Sequence, residues 1–87
     1  MIVMVQQEIR SPQVLSYRLV EDDRYLVAVV LLRPLFGRAA REQALKEIAD
    51  ELSKQSDKEI WVTADLDLWA KADFAQAAEL VALLQQR

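Results

Sequence analysis

Tyr25-Leu26-Val27-Ala28-Val29-Val30-Leu31-Leu32 is the longest apolar run in the chain, and its reading decides the fold. It is far shorter than the length of about 20 residues that a membrane span needs. Glu21-Asp22-Asp23-Arg24 precedes it and Arg33-Pro34 follows it. A short unbroken run between turn signals predicts a central strand covered on both faces or close to it. Upstream, residues 14–20 read Val-Leu-Ser-Tyr-Arg-Leu-Val. Leu15, Tyr17 and Leu19 alternate with Ser16 and Arg18, the period of a strand with one buried face. Four polar residues between the two runs predict a hairpin.

Downstream, Ala44, Leu45, Ile48, Ala49 and Leu52 form one apolar stripe at helical spacing. They predict a helix over 38–55 with Lys46, Glu47, Asp50, Glu51 and Lys54 on its outer face. Residues 59–64 predict a strand, with Ile60 and Val62 on one face and Trp61 and Thr63 on the other. Either Asp65 or Asp67 suits the cap of a last helix. That helix runs to about Gln86, begins at Asp67 or restarts at Asp73, and has the stripe Phe74, Ala77, Ala78, Val81 and Leu84. Residues 2–9 are ambiguous and lean to an edge strand. The expected architecture is one domain over 1–87, an α+β two-layer sandwich in the order (β)ββαβα. Its sheet is mixed, because a helix long enough to cross over joins strand 25–32 to strand 59–64 and makes them parallel. Both helices are expected on one face.

Composition removes many chemistries. The 87 residues include no histidine and no cysteine. A Ser-His-Asp triad, a Cys nucleophile, a disulfide and a Cys/His zinc site are therefore excluded. The single glycine, Gly37, is too few for a glycine-rich phosphate loop. At 53% hydrophobic and a mean hydropathy of +0.00, the chain suits a folded domain rather than a disordered one. The net charge is −3, with 11 basic residues scattered among 14 acids. That balance argues against nucleic acid and against adsorption to anionic lipid. No apolar segment predicts membrane insertion, and the N-terminal Met1-Ile2-Val3-Met4-Val5 lacks the basic region of a signal peptide. A cytoplasmic location is the expectation.

Few constellations suggest chemistry. Asp65-Leu66-Asp67 could contribute to a Mg²⁺ site, but a helix cap explains it more simply. Glu21-Asp22-Asp23 could dock a basic partner, or be a solvated turn. Arg24, Arg33, Arg38, Arg41 and Lys46 make a modest basic strip, interrupted by Glu42 and Glu47 and read as a salt-bridged helix surface. Trp61 and Trp69 would anchor a partner if exposed. No catalytic, cofactor-binding or metal-ligating residue is assigned, and no enzymatic activity is expected of so small a layer without histidine.

Three stretches carry a resemblance. Ile60-Trp61-Val62-Thr63-Ala64-Asp65-Leu66-Asp67-Leu68, the strand Arg24-Tyr25-Leu26-Val27-Ala28-Val29-Val30-Leu31 and the helix around Lys46-Glu47-Ile48-Ala49-Asp50 resemble the YhcN/YlaJ family of sporulation-associated lipoprotein domains. The similar span is roughly residues 15–74. Leu66 stands where the family often has proline, and the chain has no cysteine to carry a lipid. The resemblance implies a non-enzymatic domain with an assembly role in spore formation, and it supplies no catalytic residues.

The expected function is a non-catalytic protein-interaction module that self-associates as a homo-oligomer through a sheet edge or an exposed aromatic face. Tyr17, Trp61, Trp69, Glu21, Asp22 and Asp23 are its candidate partner-binding residues. The alternative is a small acidic inhibitor or antitoxin-like protein that masks a basic partner surface.

Overall fold

The computed structural model describes residues 9–34 and 37–86. Its elements are β1 (Val14–Glu21), β2 (Tyr25–Leu32), α1 (Arg38–Ser53), β3 (Glu59–Thr63), α2 (Leu66–Lys71) and α3 (Ala77–Gln85). The three strands form one open mixed sheet in the order β1-β2-β3. β1 and β2 are antiparallel and β2 and β3 parallel, so the expected α+β class, element order and crossover through α1 hold. The strand expected over residues 2–9 lies outside the described residues apart from Ile9, which is buried.

Local chemistry sets the hairpin. The Asp22 carboxylate accepts the backbone N–H groups of Arg24 at 2.8 Å and Tyr25 at 2.7 Å. The backbone N–H of Asp22 donates to the Tyr25 carbonyl at 3.0 Å. One aspartate thus satisfies the donors of the tight turn that the acidic run marked.

β1 departs from strict alternation. Its register against β2 shifts between Val14 and Ser16, and Leu15 is the extra residue. A bulge of this kind moves everything beyond it to the other face. Val14 therefore joins Tyr17 and Leu19 over α1, while Leu15 is 58% exposed. The expected burial of Leu15 is corrected for that reason.

The layering is corrected too. β2 is central, and its alternate side chains point to opposite sides. Leu26, Ala28 and Val30 pack with Ile48 and Leu52 of α1. Val27 and Val29 pack with Leu68 of α2 and with Ala77, Leu80 and Val81 of α3. The helices thus lie on both faces, giving three layers instead of a two-layer sandwich with both helices on one face. All five residues from Leu26 to Val30 have no exposed surface, as the unbroken run required.

The last helix is broken. Ala72 ends α2, the Lys71 carbonyl accepts from Phe74 and Ala75, and Gln76 is extended before α3 starts. A straight helix would carry Leu68 and Leu80 about 18 Å apart along its axis. The break lets both reach the same pair of valines. Phe74 falls in the break and is 90% exposed, so it does not belong to the buried stripe. Ala78 is exposed as well, and Leu80 takes its place.

Candidate functional site

The sequence candidates fall at three places. Trp61 is the middle residue of β3, an edge strand among the described residues. Its ring packs half-buried on the α2/α3 side, and its indole N–H donates to the Glu59 carboxylate at 2.7 Å. Trp69 lies on α2 over the same side and is also half-buried. Tyr17 is on the opposite side, packed towards α1. The three aromatic residues therefore do not make one face.

Trp69 has a partner within the chain. The Arg18 guanidinium sits 4.2 Å from its ring centroid. Arg18 also donates to the Trp69 carbonyl at 2.6 Å and pairs with Asp73 at 3.3 Å. A single arginine on β1 thereby fastens the α2–α3 break to the sheet. Sequence reading missed this role, because nothing in the spacing of residues 18, 69 and 73 brings them together.

The acidic run sits at the hairpin. Glu21 pairs with Lys58 at 2.9 Å. The hydrogen bonds from Tyr25 and Arg24, with help from the nearby Lys58 and Arg24 charges, hold the Asp22 carboxyl below the usual carboxylate range. Asp23 is exposed and carries no ion pair among the described residues. Of the three acids, then, one is paired, one is bound into the turn and one is open. Asp65 proves to be the α2 cap, accepting Asp67 N–H at 2.8 Å and Leu68 N–H at 3.3 Å. Among the described residues no three His, Cys, Asp or Glu side chains cluster as metal ligands.

At the far end of the sheet from the hairpin lies a half-open cleft of about 770 Å³. It is lined by residues 31–34, 37–38, 41 and 64–67. These are the end of β2 and the residues after it, the residues just beyond β3, and the starts of α1 and α2. Arg33, Arg38 and Arg41 reach it, whereas Arg24 belongs to the hairpin and Lys46 is absent from its lining. The basic strip of the sequence is therefore not one strip. The missed signal was topological: parallel strands joined by a crossover leave a crevice beyond their carboxyl ends.

Comparison with family models, with curated proteins and with solved structures finds no significant match. The class defined by the fold is an α+β domain with an open mixed sheet, three-stranded among the described residues. No described helix is long and apolar enough to cross a membrane.

Proposed function

We propose that this chain is a non-catalytic interaction module that pairs with a second copy of itself along the outer edge of β3. The observation that carries this reading is the character of that edge. β3 is unpaired on its outer side among the described residues, and its Ile60-Trp61-Val62 centre is only half-buried. Unpaired strand edges are templates for another strand. The other edge, β1, is interrupted by its bulge at Leu15, a device that discourages pairing. Antiparallel pairing about a two-fold axis at Trp61 sets Glu59 against Thr63 of the second copy and so avoids a facing pair of carboxylates. A small core also gains from dimerisation.

The resemblance to sporulation-associated domains supports an assembly role in spore formation as the finer reading, with the cytoplasm as the expected compartment. The test is size exclusion with light scattering at low and high salt, on the chain and on Trp61→Ala. A salt-resistant dimer that Trp61→Ala converts to a folded monomer is the expected result. A monomer under every condition overturns the reading. In that case, capture of a basic protein that salt releases would support the acidic inhibitor instead, with Asp23 as its open contact.

A further inference from the structure

We propose that the cleft beyond the carboxyl ends of β2 and β3 is a binding site for a small-molecule phosphate monoester. In a chain of net charge −3, three arginines line one cleft. None of them forms an ion pair among the described residues, although Asp65 and Asp67 line the same cleft. The Asp65 carboxylate is turned to the N–H groups of α2.

Two of the arginines are held in place by backbone. Arg33 Nε donates to the Pro12 carbonyl at 3.0 Å, and Arg41 Nη2 donates to the Ala64 carbonyl at 3.3 Å. Each guanidinium has five N–H donors, so most remain for a ligand. The Arg38 side chain has no hydrogen bond or ion pair among the described residues. Planar guanidinium forks match the oxygens of phosphate.

The backbone adds a lesser attraction. α1 has no side-chain cap and no acid in its first turn, and a side chain built at Gly37 would meet nothing within 4 Å. The volume suits a small molecule, since such sites span roughly 300–1,000 Å³. Asp65 and Asp67, which line the same cleft, set the class. A compact dianion can face the arginines alone, while a nucleic-acid strand running through the cleft would meet like charge. This inference stands apart from the β3 edge, which is not part of the cleft lining, so either can fail without the other.

The test is calorimetric titration of the full chain with inorganic phosphate, with ribose 5-phosphate and with a single-stranded oligodeoxynucleotide. Saturable binding of the first two is expected, with the oligonucleotide weaker than ribose 5-phosphate. Arg38→Glu and Arg41→Glu should each weaken ribose 5-phosphate by about tenfold or more. Lys46→Glu makes the same charge change outside the cleft and should weaken it less than about twofold. Thermal melts check that the variants fold, and Arg38→Ala, which removes no bond within the protein, serves if a charge reversal does not. Absence of saturable phosphate binding overturns the proposal. So does binding that the Arg38 variants leave unchanged, or tighter binding of the oligonucleotide.

Discussion

Asp22 shows how one side chain can define a turn. Its carboxylate is bonded in its charged form, which lowers its pKa in the folded chain. Stability gained from a depressed carboxylate is present above the unfolded pKa and lost as pH falls through the folded one. Asp22→Asn should therefore flatten the acid limb of the stability curve below about pH 4. Urea denaturation at several pH values reads this; an unchanged acid limb would exclude Asp22 as a contributor. Gly37 makes the complementary case at φ +88° and ψ 156°, a region essentially confined to glycine. Gly37→Ala should cost about 1–3 kcal/mol even though the new methyl meets nothing. Chemical denaturation measures the loss, and a neutral substitution would show that the loop relaxes. At this scale the sequence was legible where a side chain acts on its neighbours. Asp65 as a helix cap and the acidic turn at 21–24 were both readable. Leu15 was not, because a bulge is a compromise between two paired strands and leaves no mark on one of them.

At the scale of elements, β2, α1 and β3 were readable nearly to the residue, since each pairs a clear period or an unbroken apolar run with a polar boundary. The break between α2 and α3 was legible only as an alternative, a helix that restarts at Asp73, and not at Ala77 where α3 begins. Ala70, Ala72, Ala75, Ala77 and Ala78 keep helix propensity high across it, while the demand for two anchor points on β2 comes from the sheet. Asp73, an indifferent helix former, was the one local hint. The break is held by Arg18, and its strength is testable. A double-mutant cycle of Arg18→Ala and Trp69→Leu should give a coupling of about 0.5–2 kcal/mol, with the ring contact as its main source. The exposed part of the contact, the pair with Asp73, should contribute about 0–1 kcal/mol. A coupling indistinguishable from zero would mean that the helices are held by their apolar residues alone.

The layering of the whole molecule was partly legible. The run over 25–32 predicted burial on both sides, and the structure agrees. Placing both helices on one face conflicted with that reading, since a doubly covered strand needs a cover on each side. The element order alone does not say to which side the chain turns after β3. The three layers make a quantitative prediction. Ile48 and Leu80 lie in separate clusters on opposite sides of the sheet. Ile48→Ala and Leu80→Ala should each cost about 2–5 kcal/mol, and the double variant should be additive within about 0.5 kcal/mol. If the chain is too weak for the double variant, Ile48→Val with Leu80→Ala serves. Strong coupling would return the helices to one face. Truncation of the exposed Phe74 should by contrast change stability by less than about 0.5 kcal/mol.

Trp61 and Trp69 both pack in the α2/α3 layer, and α1 lies wholly across the sheet from them. Indole emission therefore watches one side of the molecule. Circular dichroism, by contrast, weighs α1 most heavily, because it is the longest helix. A chain that opened one layer before the other would show two separate melting curves by these two signals. Coincident curves would mean that β2, shared by both layers, makes them melt as one.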